Sequence, residues 1–280
     1  GASDSLTISG STADGVIITN PNGASVLKTD NASDLGTVTA LGDLTLSGGQ
    51  LDRLTIAESA TITVEKDASV STITVSADDV TINGAGKVDK VQANADNVHV
   101  NVEDAEVTAG KGTSGVTAGG KDVAAGDTVT SDSSSDGDED EDNDPVTPSR
   151  PDPGKPDPGK PDPDEPTEDA DFEVDSWQEL KAAVQNAKNG DVIRLTNNIT
   201  DAGSDTDVVD GVSGATLPME SEDGKALTLD GDGHSISAAD DRTYCFLINT
   251  GDSGGTTTVK DLTVNGASNG NKVGGAFFLE

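Results

Sequence analysis

The sequence predicts an all-β protein: two parallel β-solenoid (β-helix) modules, the second with an N-terminal capping helix, joined by a disordered linker. Three observations carry that expectation. Short apolar–polar alternations recur at a near-constant interval within residues 1–130. An acidic, proline-rich stretch, 131–170, interrupts them. Beyond it, residues 171–280 open on one amphipathic helical pattern and continue as short strand-like runs.

In the first module, Leu51-x-x-Leu54-x-Ile56 recurs as Val70-x-x-Ile73-x-Val75 and again as Val88-x-x-Val91-x-Ala93. Between these motifs, Ile62-x-Val64, Val80-x-Ile82 and Val98-x-Val100 are evenly spaced. Alternation with period two is the mark of a strand with one buried face. Strands this short cannot bury that face alone, so successive coils must stack and share one interior. Asn83-Gly84-Ala85-Gly86 supplies a turn, and Leu6/Ile8, Val16/Ile18 and Leu44/Leu46 are expected in earlier, less regular coils. The apolar positions do not fall every six residues, which favours a right-handed winding over a left-handed hexapeptide helix.

The linker holds 15 acidic and 3 basic residues and 9 of the 11 prolines, with PDPGK occurring twice, at 151–155 and 156–160. Proline fixes φ and lacks an N–H, and like charges repel, so an extended spacer is expected. At about 3.1 Å per residue, the segment 145–166 could reach on the order of 70 Å.

The second module starts with a short strand at Phe172-Glu173-Val174. Ser176 and Glu179 then form a capping box, because serine can accept from the first helical amides and Glu179 can reach back. Trp177, Leu180, Val184 and Ala187 mark one helical face, Lys181 and Lys188 suit its later turns, and Asn189-Gly190 stops it. Strands are expected at 191–195, Leu227-x-Leu229, Ile236, 246–248, Val259, Leu262-x-Val264 and Phe277-Phe278. Patterned residues reach close to both ends, so a longer parent chain is expected.

The run SWQELKAAVQNAKNGDVIRL (176–195), followed by LTLDGDGHSI (227–236), resembles the entrance of pectate-lyase-like right-handed β-helices, above all the adhesive domains of bacterial cell-surface proteins. That resemblance covers residues 171–280. It implies a lid helix over Ser176–Lys188, a turn at Asp230-Gly231-Asp232-Gly233 and a secreted, cell-surface location. Catalytic and non-catalytic members share this entrance, so it does not imply an activity. Residues 1–130 are similar only in a general way to surface-protein solenoids.

Charge narrows the function classes. Acids number 52 against 17 bases, a formal net charge of −35. That excess opposes binding to nucleic acid or to an anionic membrane as a main activity. No apolar run approaches the roughly 18 residues of a membrane span. The single cysteine, Cys245, excludes an internal disulfide framework and a cysteine-based zinc site. Six aromatic residues leave packing to Val, Ile, Leu and Thr.

Candidate sites are few. If Val80 and Val98 are equivalent, Asp78 lies over Asp96 and Asp79 over Asn97, about 4.8 Å apart. Those oxygens could share a calcium ion, although a solvated turn column explains them as well. Asp132, Ser134, Asp136, Gly137 and Asp138 match the start of a calcium-binding loop, but Asn143 stands where a bidentate Glu is expected. The Thr61/Thr63 and Thr72/Thr74 pairs do not repeat as a flat threonine face, since one coil on lie Asp79/Thr81 and Lys90/Gln92. A polysaccharide lyase would need a base beside acids; Arg194, Arg242 and Lys260 are the candidates, with Asp240 and Asp241 near Arg242. His99 should face outward, His234 lies in a Gly-rich turn, Trp177 suits a core, and Cys245 reads as a small buried hydrophobe. The expected function is non-catalytic adhesion or structural display, with glycans or neighbouring cell-surface molecules as partners and no organic cofactor. The alternative is a carbohydrate-active enzyme, a polysaccharide lyase or glycoside hydrolase, whose catalytic coils lie beyond residue 280.

Overall fold

The computed structural model describes residues 4–13, 15–18, 24–131, 169–202, 217–218, 226–238, 246–248, 256–265 and 277–279. The linker and its calcium-loop motif lie outside the described residues, as do Asp240, Asp241, Arg242 and Cys245. The described chain is an all-β solenoid with one short helix. Its strands form sheets of twelve, ten and four strands.

The sequence predicts two rods, whereas strands from both sides of the linker share all three sheets. Thr256–Lys260 pairs in parallel with Asp4–Ser9, Thr263–Asn265 with Thr12–Ala13, and Phe277–Leu279 with Gly15–Ile18. In space the winding therefore runs from Phe172–Val174 through Thr256–Lys260 to Asp4–Ser9, and on to Thr117–Ala118. The reason is chemical. A coil edge carries a row of N–H and C=O groups that must pair, and the two regions present matching edges.

The repeat motifs align as strand partners. Leu51 sits beside Val70, and Val70 beside Val88; Leu54, Ile73 and Val91 follow, then Ile56, Val75 and Ala93. All nine are buried. In Gly49–Ile56 the burial pattern places Asp52 and Arg53 outward in succession between inward Leu51 and Leu54. Two outward residues in a row break the period of two, so the strand turns a corner there. That bend is the physical content of the x-x in the motif.

One expected register is displaced. Equal spacing places Val80 beside Ile62, but Thr81 pairs with Thr61 and Ile82 with Ile62, so this coil is longer than those on either side of it. A two-residue shift keeps every side chain on its own face, so the hydrophobic pattern alone does not forbid it. The shift brings Gly84 above Val64, where a Cβ would overlap the Val64 carbonyl oxygen, and Gly86 N donates to that oxygen at 2.9 Å. The turn glycines thus allow the backbone to close over Val64.

Both ends of the winding are covered. At one, Trp177–Asn186 forms the helix, with Trp177, Leu180, Ala183 and Val184 buried. Ser176 Oγ accepts from Glu179 N, while Glu179 Oε2 reaches back to Asp175 N at 3.1 Å, one residue before the expected capping-box partner. The helix ends at Asn186, before Lys188, so no basic residue lies in its last turn. At the other end, Lys121–Asp122 and Thr128–Thr130 pair antiparallel with the last coils. Ser131, read from sequence with the linker, is wholly buried here; its Oγ donates to Val102 O at 2.6 Å and accepts from Ala105 N at 2.9 Å.

Candidate functional site: outward ladders and a charged corner

Stacking coils in register turns each outward position into a column. Thr228, Thr258 and Thr7 form one on the largest sheet, and Thr45, Thr63 and Asn83 another. Thr55, Thr74, Gln92 and Thr108 run along the ten-stranded sheet. Threonine columns therefore exist, although Thr72 and Thr74 meet Lys90 and Gln92 as expected; the departure is at Thr61 and Thr63, whose partners are Thr81 and Asn83. The displaced register puts Thr61 beside Thr81, a pairing that equal spacing hid, while Thr55 meets Thr74 through the Leu54-x-Ile56 repeat itself. Amides continue the pattern, with Asn101 Nδ2 donating to Asn83 Oδ1 at 2.8 Å. His99 faces outward as expected and its Nδ1 lies 2.9 Å from Thr117 Oγ1.

The four residues considered for calcium stack as the spacing predicts, since Val80 pairs with Val98. Asp78 Oδ1 accepts from Asp96 N at 2.8 Å, and Asn97 Nδ2 donates to Asp79 Oδ1 at 2.9 Å. The column extends further: Asp96 Oδ1 accepts from Ser114 N at 2.7 Å. A similar contact joins Asp43 Oδ1 to Thr61 N at 2.6 Å. Asp43, Asp78 and Asp96 each hold the backbone one coil on. Asp79 and Asn97 also have φ of 58° and 55°. Asp and Asn tolerate that left-handed region because their short polar chains bond locally. The residue types at this corner thus follow from backbone geometry. Among the described residues no group of three or more His, Cys, Asp or Glu is arranged to hold a metal ion.

A second cluster was only half legible. Arg194, Asp230, Lys260 and Ser9 occupy one outward column on successive coils. Arg194 Nε and Nη2 each lie 3.0 Å from Asp230 Oδ2, and Lys260 Nζ lies 3.5 Å from the same oxygen. Asp230 is 5% exposed, and its Oδ1 accepts from Asp232 N at 3.1 Å. Sequence reading singled out both cations but took Asp230 only as part of a turn; the missing signal was strand register. Opposite charges directly across strands stabilise a sheet, so this alternation has a structural use. Beside it, Asp261 has φ of 50°, and its carboxyl is held above the ordinary 3.8 by burial, with further contributions from the charges of Asp230, Asp30 and Asp232. Asp30 Oδ1 accepts from Ser33 Oγ at 2.7 Å and from Ala32 N at 3.1 Å.

Two open, polar concavities lie among the described residues. A polar groove of about 270 Å³ is lined by residues including Asn31, Ser33, Asp34, Gln50 and Asp52. A smaller one of about 210 Å³ lies at Gly84–Gly86 with Asn101 and Glu103. Trp177 is 2% exposed and packs in the core, so its ring is not a sugar-stacking platform.

Residues 171–279 match the family model of the pectate lyase-like adhesive domain. The match starts at the strand before the lid helix, and the Arg194–Asp230–Lys260 column lies within the matched residues. Residues 4–131 add further coils to that segment through shared sheets. Comparisons with curated proteins and with solved structures find no match. Among the described residues, no helix is long and apolar enough to cross a membrane.

Proposed function

We propose that this protein is a non-catalytic, surface-exposed adhesin or display element that engages glycans or neighbouring cell-surface molecules through its outward ladders. The observation that carries this reading is the adhesive-domain match over 171–279, borne on a solenoid with regular threonine and asparagine columns. Hydroxyls and amides repeated about every 4.8 Å offer many weak hydrogen bonds to an extended polyhydroxylated chain. Binding of that kind gains strength by repetition, with no deep pocket needed.

Within the described residues, a catalytic reading would rest on the Arg194–Asp230–Lys260 column, which brings bases beside an acid as a lyase requires. The ion-pair geometry favours a structural role, because both cations converge on one carboxylate oxygen. A glycan array probed with the full chain, with and without calcium, tests the proposal. Saturable binding that weakens on replacing Thr7, Thr228 and Thr258 supports it. Release of unsaturated sugars from pectin-like polymers would overturn the non-catalytic assignment. Binding that appears only with calcium would place the ion at the Asp78/Asp96 corner or outside the described residues, which Asp78→Ala distinguishes.

A further inference from the structure

The joint between the 256–265 coil and the 4–13 coil unites segments from opposite ends of the sequence, yet has the same parallel, in-register construction as the joint between Ala226–Asp230 and Thr256–Lys260. Five consecutive residue pairs, Ser5–Thr256 to Ser9–Lys260, are in register. Thr12 N donates to Leu262 O at 2.9 Å, Asp261 N to Ser9 O at 3.0 Å, and Leu262 N to Ser11 Oγ at 3.1 Å. The inward columns pass through unbroken, Leu229–Val259–Ile8 in one and Leu227–Thr257–Leu6 in the other. Every one of these side chains is at most 3% exposed.

Covalently, the two sides are joined only through the segment 132–168. It leaves the solenoid after Ser131 at one end and re-enters before Phe172 at the other. Between Phe172–Val174 and Thr117–Ala118 lie ten strand spacings, about 48 Å at 4.8 Å each. The segment is long enough to cover that distance, but nothing in the joint requires both sides to come from one chain. Each chain carries one copy of either edge, and an unpaired edge is a template for another strand.

We propose that this joint is an exchangeable seam through which copies of this chain assemble, the 169–279 segment of one stacking on the 4–131 segment of another. The contact is heterologous, so it yields a closed exchanged pair or an open head-to-tail row. An open row would multiply the outward ladders along one axis.

Linker length tests it. Deleting 140–166 leaves ten residues between Ser131 and Asp169, which span at most about 40 Å, too short for closure within one chain. The deletion variant is expected to keep its β circular dichroism and to run by light scattering at two or more times the 28.1 kDa chain mass. A monomeric deletion variant overturns the proposal. Should that variant be insoluble, the full-length chain gives an independent reading. With Cys245→Ala, the substitutions Ser5→Cys and Thr256→Cys place thiols on outer-face register partners, within disulfide reach. A linker of this kind gives an effective concentration in the millimolar range. Refolding at about 100 µM before oxidation should therefore yield roughly one tenth interchain disulfide, falling tenfold at about 10 µM. Intrachain product alone at both concentrations, or no disulfide at all, overturns the seam exchange.

Discussion

Replacing Gly84 with alanine should be far more damaging than the same change at Gly112, and the difference isolates one physical cause. Both glycines have positive φ, 126° and 87°. A Cβ in left-handed backbone costs about 1–2 kcal/mol at either site. At Gly112 nothing lies within 4 Å of the added carbon. At Gly84 it would overlap the Val64 carbonyl oxygen and approach Val64 C and N at 2.7 and 2.8 Å. Those atoms belong to a backbone held between two neighbouring strands, so they cannot give way as a flexible side chain would. Forced overpacking adds about 1–3 kcal/mol. The expected totals are about 2–5 kcal/mol for Gly84→Ala and about 1–2 kcal/mol for Gly112→Ala. Urea unfolding followed by circular dichroism measures both, provided the slopes agree. If Gly84→Ala lies within about 0.5 kcal/mol of Gly112→Ala, the two-residue register displacement inferred at Val64 is wrong.

Ile73 is fully buried between Leu54 and Val91, so Ile73→Ala should cost about 2–5 kcal/mol in the same assay; a cost under about 1 kcal/mol would mean that the interior is loosely packed. Asp230→Ala removes a shared partner of Arg194 and Lys260, whose side chains are 17% and 27% exposed, and should cost about 1–3 kcal/mol. Lys87→Ala, which breaks the exposed pair with Asp89, should cost less than about 1 kcal/mol and lose that effect in salt. For Asp261, the folded state holds its proton more tightly than the unfolded chain does, so its contribution to stability is fully present below pH 3.8 and lost as pH rises through the elevated value. Asp261→Asn should therefore match the parent in acid and exceed it slightly at neutral pH, the carboxyl being exposed enough for solvent to screen most of the effect. Melting temperatures of both proteins across pH 3–7 decide this, and a difference independent of pH would contradict it.

Local features were readable because local rules make them. Ser176, Glu179 and the Trp177/Leu180/Val184 face announce a capped amphipathic helix within a dozen residues, and the structure forms it. The motif ending Leu54-x-Ile56 shows which residues face inward, since strand side chains alternate. Legibility failed where spacing varied. One lengthened coil hid the Thr61–Thr81 pairing, and an Asp read as part of a turn proved to be the centre of a charged column.

The sequence by itself determined that short strands wind into stacked coils and that one helix covers an end. Period-two alternation and near-constant coil length are properties of neighbouring residues. Only the tertiary structure decided that both regions form one winding. Ser11 and Leu262 are 251 residues apart yet hydrogen-bonded. A strand edge offers the same amides and carbonyls whatever its side chains, so no local pattern names its partner; that choice is made when whole edges meet in register.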